Sequence, residues 1–474
     1  MILQSSYTEV NRRQALRTFA NGFGMIGLAG LLAADKARAA DADNPLAVKP
    51  PMFQPRAKRV IFLFMSGGPS HVDLFDPKPM LAKNEGKPLP FEQPKLVRTR
   101  TTNCLPSPFK FAKRGQSGVE VSELFPNVAG CIDDICLIRS MVADNINHNG
   151  ACLQMNTGEQ AFSRPSLGSW LLYGLGSENQ NLPGFIVLSP SQPAQGAPLW
   201  SSSFLPAAYQ GTLVADMANP IADLNNPEES PQRQKDQLDT LQRLNDLHRK
   251  QREEDSQLSA RIASFELAFR MQTEAPEAFG LDREPAAVKR LYGLDDKTTE
   301  TFGKQCLLAR RLVERGVRCV QVYHTVTSKR SSCQLWDQHG GLRTELPNNC
   351  AATDVPIAGL LTDLRARGLL HDTLVLWGGE FGRTPTAEGN DGREHHPFGF
   401  SMWLAGGGVK GGLAHGATDD FGWHAVEKKV HVHDLHATIL YLLGLDHEKL
   451  TYRHAGRDYR LTDVYGNVVK DILA

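Results

Sequence analysis

Short runs of consecutive apolar residues recur along the chain, and each closes on glycines or on polar, ligand-type side chains. The first is "KRVIFLFMSGG", in which Val60 to Met65 are apolar without alternation and Gly67-Gly68 follow. Unbroken apolarity over six residues predicts a strand covered on both faces, the habit of a parallel sheet, and the glycine pair predicts a turn at its end. "CLIRSM", "FIVL", "VRCVQVYH", "DTLVLWGGEFGRTP" and "FSMWLAGGG" repeat the pattern. Between them, "PSLGSWLLYGLG", "GKQCLLARRLVERG" and "VPIAGLLTDLRARGLL" read as helices. Strands alternating with helices predict an α/β fold, a three-layer sandwich with a mainly parallel central sheet.

Two stretches depart from this rhythm. Residues 226–279 are charge-rich, with Leu238, Leu241, Leu244 and Leu247 in a stripe at helix-compatible spacing. They predict a helical insertion, one long helix or a hairpin, packed on the sheet or at an interface. Residues 1–39 carry Arg12-Arg13, a glycine-interrupted apolar run from Gly22 to Ala34, and the small-x-small sequence Ala37-Arg38-Ala39. That order predicts a twin-arginine signal peptide cut near Ala39, since the run is too short and broken for a stable membrane span. Residues 40–474 then form the α/β domain. The expected destination is the periplasm or cell envelope, reached through the twin-arginine export machinery. That route often carries proteins already folded around a cofactor.

Charge and cysteine content narrow the functional classes. The 474 residues include 52 basic and 52 acidic side chains, so no overall field favours nucleic acid or a membrane surface. The eight cysteines include no Cys-x-x-Cys pair, which removes the commonest zinc and redox spacings. Most are expected to be buried thiols, with some pairing left open.

In open α/β sheets ligands collect beyond the carboxyl ends of the strands, and here those positions are rich in metal-ligand side chains. Ser66, Ser70, His71 and Asp73 follow the first apolar run, Asp337 and His339 stand in "CQLWDQHGG", and Glu380 and Arg383 close another run. His395 and His396 precede the last, and nine of the fifteen histidines fall between His395 and His454. Imidazole mixed with carboxylate suits a divalent transition metal. Zinc is the first expectation, with manganese, iron or calcium as alternatives. Each residue also has a plainer reading: Asp337 as a turn residue, the histidines as packing groups, Arg383 as the ion-pair partner of Glu380. "AGGGVKGG" lacks the Walker spacing and reads as a strand-to-turn connection. His431, His433 and His436, at the start of the helix predicted from "VHDLHATILYLLGLD", could form a surface metal cluster, but at helix-start spacing they read as solvent-facing and are left out of the site, with Asp434 as the N-cap.

The wording "MSGGPSHVDLFDPKP", "GEFGRTP", "HHPFGFSMWLAGGGVKGG" and "GRDYRLTDVYGNVV" closely resembles the exported bacterial domain of unknown function 1501 family. The order of motifs resembles the alkaline phosphatase and sulfatase superfamily, which implies an alkaline-phosphatase-like fold. In sulfatase-type members a Ser or modified Cys nucleophile stands ten residues before the Gly of a Thr-Gly pair. With Thr157-Gly158 that position falls on His148, in "HNGACLQMNTG". The superfamily's first-strand Asp falls near Ser66, with Asp73 as a downstream substitute, and its later Asp-His pair falls on Glu380 and Phe381. Its other metal site falls on Asp337, His339 and either His395 or His396. The resemblance thus implies metal ligation by these residues, with Glu380 and Asp73 as further candidates. His148 is left as a ligand, a general base or a nucleophile, the first two preferred, against a packing histidine in a polar turn. Arg383 would bind an anionic ester oxygen. The implied activity is metal-dependent hydrolysis of a sulfate or phosphate ester, on a small molecule or polysaccharide, with metal-activated water attacking. The alternative is a non-catalytic metal-binding or scaffold protein on the same fold.

Overall fold

Each apolar run forms a strand of one sheet. The computed structural model describes residues 44–93, 103–217, 274–325 and 335–474 continuously, with scattered positions between 220 and 272. The expected signal peptide and most of the insertion at 226–279 lie outside the described residues. The described positions of the insertion from 232 onward are helical, and Leu241 and Leu244 are exposed there.

Among the described residues the main sheet has nine strands. They are β1 (Arg59–Phe64), β2 (Ile135–Val142), β3 (Phe185–Leu188), β4 (Thr212–Val214), β5 (Cys319–Tyr323), β6 (Thr373–Gly378), β7 (Phe400–Ala405), β8 (Leu413–His415) and β9 (Val430–His431). Their order is β8-β2-β7-β6-β1-β5-β3-β4, with β9 also paired to β2. All pairings are parallel except those of β7, which runs antiparallel to both β2 and β6. Strands β4, β8 and β9 have two or three residues, too short for a periodic signal in the sequence.

Successive side chains of a strand point to opposite faces, so β1 feeds two cores. Ile61 and Leu63 enter one, with Leu307 and Leu312 of α3 (Glu300–Glu314) and Leu360 and Leu364 of α4 (Leu342–Ala366). Val60, Phe62 and Phe64 enter the other, with Cys152 of α1 (His148–Thr157), Trp170 of α2 (Leu167–Leu175) and Ile439 of α5 (Val432–Leu442). Burying one such apolar side chain contributes about 1.5–3 kcal/mol, which fixes the three-layer arrangement. The seven described cysteines are buried and unpaired. No helix among the described residues is long and apolar enough to cross a membrane.

The antiparallel strand β7 matters for function. The chain leaves β6 at the carboxyl edge of the sheet and pairs Gly382–Arg383 with His395–His396 in a small hairpin there. It then re-enters as β7 from the same edge. Residues that precede β7 in sequence therefore stand beside residues that follow the parallel strands.

Candidate metal centre

Four side chains from three segments meet at this edge. His148 is the first residue of α1, whose start is fixed by Asn147: its side chain accepts a hydrogen bond from the Asn149 backbone N–H at 3.0 Å. Asp337 and His339 lie in the turn after β5, and His395 lies in the hairpin before β7. The turn is held close by glycine. A Cβ on Gly67 (φ +119°) would lie 2.6 Å from the Asp337 backbone nitrogen, and one on Gly392 would lie 2.0 Å from the His339 carbonyl oxygen.

One ligand atom from each of His148, Asp337, His339 and His395 lies within 4.8 Å of the others. His339 Nε2 stands 3.0 Å and His395 Nε2 3.1 Å from Asp337 Oδ1, and 3.0 Å from each other. His148 Nε2 stands 3.2 Å from Asp337 Oδ2, buried and without a directed hydrogen bond. Two ligand atoms bound at right angles to one ion at about 2.1 Å stand about 3.0 Å apart, so these spacings suit a shared cation.

The opposite edge of each ring is held by an acceptor. His148 Nδ1 meets Glu380 Oε1 at 2.6 Å, His339 Nδ1 meets Glu388 Oε2 at 2.5 Å, and His395 Nδ1 meets the Ile146 carbonyl at 2.6 Å. Each Nδ1 therefore donates its hydrogen, which leaves each inward-facing Nε2 as the atom a metal would take. Metal-ligating histidines are oriented in this way. Glu380, fully buried, also accepts from the Gly67 N–H at 3.0 and 3.2 Å. Phe381 walls the cluster, its ring 5.0 Å from that of His148 and 4.6 Å from that of His395.

Comparison with known proteins shows to which family this arrangement belongs. Residues 57–473 match the family described as "Protein of unknown function (DUF1501)". The chain is a member of the DUF1501 family. No curated protein matches its sequence. Among solved structures, this DUF1501 chain is similar to the lipoteichoic acid synthase LtaP from Listeria monocytogenes, at 10% identity and TM-score 0.37, covering 90% of this chain and 80% of that one. It is similar to the PsFucS1 sulfatase from Pseudoalteromonas sp., at 12% identity and TM-score 0.34, covering 88% and 72%. It is similar, too, to a protein in the alkaline phosphatase superfamily from Vibrio parahaemolyticus, at 11% identity and TM-score 0.34, covering 85% and 70%.

Four other residues singled out in the sequence stand outside the ligand shell. Glu380 lies behind His148 and not beside the other ligand atoms. His396 neighbours His395 on a two-residue strand, so strand alternation sends it the other way, where its Nε2 meets the Trp423 carbonyl at 2.5 Å. Asp73 is buried in a two-point pair with Arg393, at 2.7 and 3.0 Å. Arg383 is fully buried with four of its five N–H donors already engaged. It donates to the carbonyls of Gly68 and Arg393 at 3.1 Å each, to that of Gly67, and to Asp337 Oδ1 at 2.5 Å. An arginine so occupied has no fork left for a substrate anion. Asp434 is the third residue of α5 and accepts from the His431 N–H, while His431 takes the N-cap position. Glu388 and the Ile146 carbonyl were not singled out in the sequence, because nothing in their spacing links them to the histidines they hold.

The electrostatics favour a cation. Asp337, Glu380 and Glu388 each lie against a ring of the cluster, with Glu394 3.8 Å from His339 Nδ1, and Arg383 pairs with Asp337. Burial opposes ionisation of Asp337, yet His148, His339, His395 and Arg383 hold its pKa far below the usual carboxylate range. Burial likewise opposes a charge on His148, yet contact with Asp337 and Glu380 pushes its pKa above the ordinary value. The Asp337 contact does the same for His339. Protons thus gather where a metal would stand.

Two predictions follow from this geometry. Because His148 and His339 hold protons to a pH above the ordinary value of 6.5, metal must displace them, and affinity falls as the pH drops through that range. Metal titrations at a series of pH values should show this decline, with proton release on binding; a pH-independent affinity between pH 5 and 8 would exclude imidazole ligands. Glu380→Gln, which leaves every ligand in place, is expected to weaken metal binding about 10–100-fold by loosening His148. Competition with a chromophoric chelator measures it.

Proposed function

We propose that this DUF1501 protein is an exported, divalent-metal-dependent hydrolase of sulfate or phosphate esters. The observation that carries the reading is the convergence of three imidazole Nε2 atoms on Asp337, each ring held from behind by an acceptor. His148, Asp337, His339 and His395 would hold the metal, zinc first, with Glu380, Glu388 and the Ile146 carbonyl orienting the rings. A divalent metal at such a site lowers the pKa of a bound water and polarises an ester oxygen. His148 opens α1, so an anionic group approaching it meets the positive end of a helix. Asp337 and His339 are the most exposed of the four side chains, at 18% and 33%, and form the entrance. Water is the attacking group in this reading, because His148 occupies the position that the superfamily resemblance assigns to a nucleophile. The residue pattern at 1–39 supports twin-arginine export to the periplasm or cell envelope.

The reading is tested with the purified full chain on nitrophenyl sulfate, nitrophenyl phosphate and sulfated or phosphorylated saccharides. Turnover that is abolished by a chelator, restored by metal and lost in His148→Ala is expected. A second reading rests on the ligand count. Four protein ligands complete a tetrahedral zinc shell, as in structural sites, whereas a six-coordinate metal leaves positions for water. Stoichiometric metal without turnover on any of these esters would favour the non-catalytic form.

A further inference from the structure

A second group of ligand-type side chains lies outside this centre, in an open cleft of about 880 Å³. The cleft takes in Asp144, His431, His433 and Tyr465, and none of His148, Asp337, His339 or His395. Sheet pairing brings the group together. His431 ends β9 and stands in register with Val142 at the end of β2, two residues before Asp144. His431 Nε2 lies 3.0 Å from Asp144 Oδ2, and one ligand atom each from Asp144, His431 and His433 lies within 4.8 Å of the others. The His433 ring stands 4.9 Å from that of His431 and stacks on Tyr465 at 5.2 Å. His433 is only 5% exposed, and its Nδ1 is buried with no hydrogen-bond partner. A buried ring nitrogen in that condition is destabilising unless a ligand satisfies it.

We propose that Asp144, His431 and His433 form a second divalent metal site, suited to a first-row transition metal such as zinc or nickel. Two imidazoles and one carboxylate leave coordination positions open towards the cleft. The site differs from the central one in a way that sets its affinity. His431 Nδ1 accepts the His433 backbone N–H at 3.2 Å and so caps α5, which leaves the ring hydrogen on Nε2, facing Asp144. A metal at Nε2 takes the place of that hydrogen, a proton is held at Nδ1 instead, and the cap bond is lost. Losing an N-cap corresponds to a penalty of up to about thirtyfold in affinity. In the central site each Nδ1 already donates to an acceptor, so no such rearrangement is needed. The central site therefore fills first and the cleft site second.

The test is a zinc titration of the metal-free full chain followed by native mass spectrometry. Wild type should take up two ions in sequence, the second more weakly, with up to about thirtyfold of the difference coming from the lost cap. His433→Ala and Asp144→Asn should each retain the first ion and lose the second, and His339→Ala should lose the tighter one. Asp144 is half-exposed, so its variant reports binding even where loss of the near-buried His433 ring disturbs folding. Two ions persisting in both His433→Ala and Asp144→Asn, or a single ion in wild type that only His339→Ala removes, would overturn the second site. The latter outcome would leave the central site standing.

Discussion

Replacing His339 with alanine is expected to lower metal affinity at the central site by about 100–1000-fold while the protein remains folded. A four-ligand zinc site contributes about 10–16 kcal/mol in all, or about 2.5–4 kcal/mol for each ligand, which corresponds to that loss. His339 is the cleanest ligand to remove. One-third of its side chain is exposed, and it lies in a turn, outside both sheet cores. Its loss leaves His148, Asp337 and His395 with their other partners. Elemental analysis after dialysis, beside a thermal unfolding curve, reads both halves of the expectation. Unchanged metal content in a folded His339→Ala protein would remove the residue from the site.

The second large effect is on stability. Arg383→Met is expected to destabilise the protein by about 3–5 kcal/mol, because it removes the guanidinium from a partly buried carboxylate and strips three buried carbonyls of a donor at once. These acceptors are Asp337 and the carbonyls of Gly67, Gly68 and Arg393. Lysine should not rescue it, since a single ammonium cannot span the positions that a planar guanidinium fork reaches. A urea midpoint measures the change. If Arg383 served as the anion clamp suggested by the sequence, the variant would keep its midpoint and raise KM instead.

The two expectations show which parts of the site were legible in the sequence. The strand of Val60 to Met65 and its glycine turn could be read directly, because burial on both faces leaves an unbroken apolar run. Asp337 and His339 could be picked out because they are close in sequence and followed by Gly340-Gly341. Choosing between His395 and His396 required knowing which face of a two-residue strand looks inward. The partners of Arg383 at Gly67 and Gly68, and of Asp73 at Arg393, are more than three hundred residues away in the chain, and no local pattern encodes such pairings. The antiparallel direction of β7 was equally hidden, since a fully buried strand shows the same apolar run in either direction. The cleft histidines were read as solvent-facing from their place at a helix start. That reading omitted the pairing of β9 with β2, which sets Asp144 beside them.

The central claim is that three imidazoles and one carboxylate hold a divalent metal at the carboxyl edge of the sheet. Its most direct test is X-ray absorption at the metal edge, on full-length Asp144→Asn protein so that the central site alone reports. The account predicts a first shell of nitrogen and oxygen at about 2.0–2.2 Å, carrying the multiple-scattering signature of about three imidazoles. A protein that takes up no metal under any loading condition, or a bound metal whose spectrum lacks imidazole, would contradict it.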